Sequence, residues 1–252
     1  DLQTTWETTL QYHHPQYVQP RWLQLRAYHL EEVGDIKYIL TFIDRTEDRR
    51  AAQALDSLMA AIDGWKGIVP VSGWRALAEQ QAIWDGSLAE NGLPFTQTYV
   101  ACPRCSEHQT GLAIDLGLNQ GEIDFIRPAF PYEGLCQTFR QTMAQYGWVQ
   151  RYPAGKEAIT GIGHEPWHFR YVGQPHAALM AERDLTLEEY IAWIRAFPYE
   201  SRRYRHGNVT LSFLPAAPQG PTVVDLPEEG RCTLSGNNVD GFLLTEWGED
   251  HA

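Results

Sequence analysis

Ser106-Glu107-His108-Gln109-Thr110-Gly111-Leu112-Ala113-Ile114-Asp115 is the stretch that organises this chain, and Glu165-Pro166-Trp167-His168 answers it further on. From Leu112 the side chains alternate, with Leu112, Ile114 and Leu116 on one side and Ala113 and Asp115 on the other, as in a strand with one apolar face. Asp115 faces away from that apolar side. His108 comes from the Gly-containing loop before the strand, and His168 lies in a second strand-like run at residues 164–173. Two histidines and an aspartate are a familiar zinc set: imidazole nitrogen and carboxylate oxygen bind the ion, and a catalytic site leaves one position to water. The three would converge only on folding, unlike the two histidines of a helical H-E-x-x-H site. A further carboxylate beside the water would serve as general base. Glu165, just before His168, is the best placed, yet strict alternation puts His164, Pro166 and His168 on one side and Glu165 on the other. Periodicity alone does not choose between His164 and Glu165, and Pro166 is expected to distort the strand locally.

Outward from this segment, helical and strand periods interleave without βαβ regularity, which indicates an α+β fold. Ala51, Leu55, Leu58, Met59 and Ile62 fall at helical spacing between Glu47 and a stop at Gly64. Residues 68–71 read as a short strand running into Ser72-Gly73-Trp74-Arg75. Arg75 thus sits at a strand-to-helix junction, ahead of a helix over 76–88 with Leu77, Gln80, Gln81 and Trp84 near one face. Leu135, Phe139, Met143 and Tyr146 describe a helix ended by Gly147, and 175–183 a short helix. Thr186 with Glu189 forms a capping box opening a helix to about Phe197. From Asn208 onward, residues 209–214, 222–226, 231–234 and 239–247 are β-prone runs between Pro, Gly and Asn turns. Residues 1–46 show one strand-like stretch, 39–43, and no recognisable chemistry.

The pattern S-x-H-x-x-G-x-A-x-D followed by E-P-W-H, with S-G-W-R upstream, resembles the zinc D,D-peptidases of the VanY, VanX and VanXY type, over roughly residues 47–197. The resemblance implies a small antiparallel sheet with flanking helices around a central site for one Zn²⁺ held by His108, Asp115 and His168. It implies that Glu165 is the catalytic base and that Arg75 polarises the scissile carbonyl and steadies the oxyanion. Ser106 matches a serine near the substrate, and Gln80 and Trp167 are candidates for the pocket wall. The domain reading is an N-terminal segment, 1–46, packing on the core, a catalytic domain, 47–200, and a β-rich extension, 208–252.

The implied activity is hydrolysis of the D-Ala-D-Ala amide. The substrate is the free dipeptide or the end of a peptidoglycan precursor stem peptide, with a consequence for vancomycin-type resistance. Two other readings keep the metal: an endolysin-like L-Ala-D-Glu endopeptidase, and a zinc-stabilised binding module without catalysis. Composition narrows the partners further. Among 252 residues, 20 basic and 32 acidic side chains leave a net charge of −12, which disfavours a sequence-independent hold on nucleic acid. No apolar run approaches the roughly 20 residues of a membrane helix and no signal-peptide pattern opens the sequence. A cytoplasmic enzyme is therefore expected, with an anchored cell-surface form as the alternative because the sequence starts at Asp1. The C-x-x-C pair Cys102 and Cys105 is compatible with a disulfide, half a zinc site or two reduced thiols.

Overall fold

The computed structural model describes residues 4–12, 21–32, 35–44, 46–223 and 231–248. The chain divides into one unit of Arg50–Tyr190 and another of Asp1–Arg49 with Ile191–Ala252. In the second unit, β1 (Thr4–Tyr12), β2 (Arg21–Glu32) and β3 (Asp35–Asp44) form an antiparallel sheet in the order β1-β2-β3. The strand-like stretch at 39–43 thus belongs to a strand twice its length, paired throughout with β2.

The Arg50–Tyr190 unit begins within α1 (Thr46–Ala61), whose Ala51, Leu55, Leu58 and Met59 line the core as their spacing predicts. After β4 (Ile68–Ser72), α2 (Leu77–Tyr99) runs well past the expected end at residue 88, with a break at Gly92 just before Pro94. Its buried positions are Gln80, Ser87 and Thr96; of the predicted face, Gln80 is buried and Trp84 half-buried, whereas Leu77 and Gln81 are exposed. Polar groups occupy that inner face because they are satisfied there: Ser87 and Thr96 share a hydroxyl hydrogen bond of 2.8 Å across the break.

The remaining elements are β5 (Ala113–Leu118), α3 (Gly134–Thr142), β6 (Trp148–Tyr152), α4 (Glu157–Thr160), β7 (Glu165–Tyr171), α5 (His176–Arg183) and α6 (Leu187–Ile194). β6 has no counterpart in the sequence reading. Gly147 ends the turn after α3 at a φ of 84°, and a Cβ there would meet the Gly173 Cα at 2.9 Å. The capping box forms as predicted, Glu189 N–H donating to Thr186 Oγ1 at 3.2 Å and Thr186 N–H to Glu189 Oε2 at 2.8 Å. α6 itself closes at Ile194, short of Phe197.

β4, β5, β7 and β6 form an antiparallel sheet in that order. Its two faces differ chemically because the strand period is two. On one face Leu116, Phe169 and Trp167 join Leu58, Phe130, Phe139 and Trp148 in a single apolar cluster. Across the sheet the register aligns Ser72 with Asp115 and Asp115 with His168. One row of the sheet thus carries the chemistry-bearing side chains.

In the other unit, β8 (Tyr204–His206), β9 (Val209–Pro215), β10 (Arg231–Gly236) and β11 (Gly241–Trp247) form an antiparallel sheet in the order β10-β11-β9-β8. Three of the four β-prone runs are strands. Val239 falls instead in a turn in which Asn237 Oδ1 accepts from the backbone of Val239, Asp240 and Gly241, each at 3.0 Å. Of the run at 222–226, Thr222 and Val223 are not strand and the rest lies outside the described residues. Among the described residues no helix is long and apolar enough to cross a membrane.

Candidate functional site

The loop before β5 is built to deliver His108. Glu107–Thr110 form a single 3-10 turn closed by Gly111 at a φ of 74°, whose N–H donates to the His108 carbonyl at 3.2 Å. A left-handed conformation of this kind favours glycine, which explains the fixed Gly of the motif. The same His108 carbonyl accepts from Arg75 N–H at 3.2 Å, and His108 Nδ1 lies 2.7 Å from the Gly73 carbonyl. A carbonyl only accepts, so Nδ1 carries the proton and Nε2 keeps its lone pair for the site.

His108 Nε2 is 3.2 Å from Asp115 Oδ2, and His168 Nδ1 is 2.9 Å from Asp115 Oδ1. One donor atom from each of these buried residues lies within 4.8 Å of the others, a separation that a single ion can bridge. All three sequence-predicted ligands are therefore brought together. Asp115 is held well below the usual carboxylate range: burial alone would raise it, and the two imidazoles outweigh that. His168 is also buried, which would lower its pKa, but Asp115 and Glu107 carry it up to about 10. In metal-free protein a proton thus occupies the place a cation would take.

Glu165 joins this group despite the alternation argument. The β6–β7 ladder shifts register between Gln150 and Tyr152, so that Tyr152 pairs with Glu165 while Gln150 pairs with Phe169. Glu165 nevertheless lies beside His168, its Oε2 3.8 Å from His168 Nδ1. His164 instead precedes the strand, where its Nε2 meets Tyr132 Oη at 2.8 Å. Burial pushes the Glu165 carboxyl up to about 8, His168 and Arg75 drawing it back only in part.

Arg75 reaches Asp115 Oδ2 at 3.6 Å, and its fork is fixed by Ser72 Oγ at 2.6 Å and Gln80 Oε1 at 2.8 Å. Its Nε is buried and has no hydrogen-bond partner among the described residues. Gln80 is fully buried and also donates to the Ala101 carbonyl at 2.7 Å. It does not line the cavity; it stands behind Arg75, because one helical turn of α2 directs it inward. Ser106 and Trp167 do line the cavity, which is also bounded by Tyr99, Phe125, Tyr152 and Ile162. Cys102 and Cys105 are exposed and unbridged, joined only through their backbone in a turn.

Sequence reasoning missed Glu107, Arg151, Tyr152 and Arg170. Glu107 Oε1 accepts from Arg151 Nε at 2.8 Å and lies 3.2 Å from Arg170 Nη1, while Oε2 is 3.6 Å from His168 Nε2. Arg151 is gripped in turn by both carboxylate oxygens of Glu188. The E in S-E-H was visible, but its partners come from β6 and β7 and leave no local trace.

Two imidazoles and a carboxylate around one point, with a second carboxylate beside them and a cavity in front, define a mononuclear metallohydrolase site. Residues 44–174 match the VanY family, described as D-alanyl-D-alanine carboxypeptidase, and the chain belongs to that family. It is 48% identical over 140 residues to the bifunctional D-Ala-D-Ala dipeptidase and D-Ala-D-Ala carboxypeptidase VanXYC of Enterococcus gallinarum, covering 55% of this chain and 74% of that protein. A D-alanyl-D-alanine carboxypeptidase of Enterococcus faecium is 32% identical over 174 residues, covering 69% of this chain; the chain spans only 52% of that relative. Among solved structures, that of the vancomycin resistance D,D-dipeptidase VanXYg with a D-Ala-D-Ala phosphinate analog matches with a TM-score of 0.76 at 50% identity. It covers 79% of this chain and 80% of the other.

Proposed function

We propose that this chain is a zinc D,D-peptidase that hydrolyses the amide between two D-alanines, in free D-Ala-D-Ala, at the end of a peptidoglycan precursor peptide, or in both. The observation that carries this reading is the convergence of His108, Asp115 and His168 on one point with the proton-hungry Glu165 beside it. The donor set fits zinc: two imidazoles and one carboxylate, all buried, would leave the fourth tetrahedral position to the cavity. Zinc held there would supply Lewis acidity, polarising the scissile carbonyl and acidifying the attacking water.

The chain's own residues do the rest. Glu165, kept in a poorly solvated place, takes a proton from the attacking water at its carboxylate and returns it to the leaving amine. Arg75, locked by Ser72 and Gln80, presents the free N–H of its Nε to the oxygen that becomes negative. Ser106 and the aromatic wall of Trp167 border the cavity on the substrate's side. In a cell making vancomycin-sensitive precursors such an enzyme would deplete the antibiotic's target. The endolysin and binding-module readings give way, since the close relatives are named for D-Ala-D-Ala hydrolysis and both Glu165 and Arg75 are present.

The test is free D-alanine released from D-Ala-D-Ala and, in parallel, from a UDP-linked pentapeptide precursor, with zinc-loaded protein and a chelated control. Release from either substrate that chelation abolishes supports the reading, and the ratio between them measures dipeptidase against carboxypeptidase preference. Zinc-loaded protein that releases no D-alanine from either would overturn it.

A further inference from the structure

The two histidines of the site use opposite ring nitrogens. His108 turns Nε2 to Asp115 because the Gly73 carbonyl takes its Nδ1–H at 2.7 Å. His168 turns Nδ1 to Asp115 at 2.9 Å, which leaves its Nε2 on the far edge of the ring. There it faces Glu107 Oε2 at 3.6 Å, and both atoms are buried without a hydrogen-bond partner among the described residues. Two orphaned polar atoms aimed at each other at this distance are satisfied together only by an Nε2–H on His168, after a small turn of the imidazole.

The mounting of Glu107 fits that task. Its other oxygen is fixed by Arg151 Nε at 2.8 Å and by Arg170 Nη1 at 3.2 Å, so Oε2 is the oxygen left for the histidine. Arg151 is immobilised in turn by Glu188, with Nη1 to Oε2 at 3.0 Å, and its guanidinium lies 4.8 Å from the Tyr152 ring. That ring packs 5.0 Å from the His168 ring, which closes the chain of contacts. Two guanidiniums on one oxygen keep the carboxylate an acceptor only.

We propose that Glu107 is the positioning residue of His168: by accepting Nε2–H it fixes the tautomer that presents Nδ1 to the metal, while Arg151 and Arg170 hold the carboxylate in register. The assignment rests on the zinc reading above. It places Glu107 outside the reacting atoms, and its effect is felt through metal affinity.

The decisive variant is Glu107→Gln, which preserves size. Arg151 and Arg170 would claim the amide oxygen, so the amide NH₂ would point at His168 Nε2 and favour the wrong tautomer. The full chain is titrated with zinc against a chromophoric chelator, as wild type and as Glu107→Gln, folding being checked by circular dichroism. Zinc affinity is expected to fall 10- to 100-fold in Glu107→Gln, the usual effect of losing an outer partner of a metal-bound histidine. Equal zinc affinity in a folded variant would show a purely structural ion-pair role and overturn the proposal alone. Wild-type protein that takes up no zinc overturns the metal reading, and the proposal with it. Should the variant not fold, the ¹⁵N imidazole spectrum of zinc-loaded wild type decides: a proton on His168 Nε2 supports the assignment, and a proton on Nδ1 overturns it.

Discussion

Two carboxylates flank His168, one on each edge of the imidazole, and the protein treats them in opposite ways. Glu165 lies on the Nδ1 side at 3.8 Å and has no Lys or Arg within ion-pair distance among the described residues. Burial therefore dominates, and its pKa is pushed up to about 8. Glu107 lies on the Nε2 side, also largely buried, which alone would raise it. There His168, Arg170 and Arg151 outweigh burial and hold it well below the usual carboxylate range. Depth is similar, so the neighbours decide: Glu107 has two arginines in contact, whereas the like charges of Asp115 and Glu107 work against Arg75 and His168 at Glu165. The strand that supplies Arg151 and the strand that supplies Arg170 are neighbours in the sheet, and both arginines reach the same oxygen of Glu107. One carboxylate becomes a fixed charge that orients; the other stays available to a proton.

Substitution at Glu165 tests this contrast most severely. Glu165→Gln is expected to lower kcat by about 10²- to 10⁴-fold, the usual worth of a general base, while zinc content stays near stoichiometric. Asp115→Ala, by comparison, is expected to lose zinc. Metal analysis beside D-alanine release separates the two, and equal metal loss in both would dissolve the distinction between base and ligand. Arg75→Ala should come next, with kcat down about 10²- to 10³-fold and zinc retained, as for removal of one oxyanion donor. A change confined to KM would instead assign Arg75 to ground-state binding.

What the sequence made legible and what it hid divide along the same line. The ligand set was readable because His108, Gly111 and Asp115 share one loop and strand, and Gly111 answers a local demand for positive φ. Alternation could not choose between Glu165 and His164, since β7 begins only at Glu165 and its pairing with β6 is irregular at that end. β6 itself, Trp-Val-Gln-Arg-Tyr, lacks an alternating pattern because Trp148, Val149, Arg151 and Tyr152 are all buried. Its arginine is buried only because Glu107 and Glu188 neutralise it. The mounting of His168 was hidden for that reason: each partner is ordinary in sequence, and Arg151 lies 44 residues along the chain from Glu107. Gln80 was singled out by its place one turn after Arg75, but its hydrogen bonds to Arg75 and Ala101 make it a brace rather than a wall.

The smallest expected effect, and the one that reads the two carboxylates most directly, is on the stability of metal-free protein. Unfolded Glu165 loses its proton near 4.5, whereas the folded group keeps it up to about 8. Between those values the folded state binds the extra proton, so stability from this group falls as pH rises. Glu165→Gln removes that dependence. Its melting temperature should therefore gain on wild type steadily from about pH 5 to about pH 8, where the carboxylate is most costly to ionise. Glu107 carries the opposite sign. Its depressed pKa contributes stability that is fully present above the unfolded value of 4.5 and is lost only on acidification, so Glu107→Gln should melt lower than wild type by a constant margin over the same range. His168, raised to about 10, contributes stability that is fully present below its ordinary value of 6.5 and is lost steadily from there up to about pH 10. That fall runs through the upper half of the window, so each variant is read as a difference from wild type at the same pH. Thermal melts of the three metal-free proteins at several pH values are sufficient. If Glu165→Gln lost ground as pH rises, or if both variants moved in the same direction, the two carboxylates would not be opposites, and Glu165 would be another fixed charge with no special claim to the proton of the attacking water.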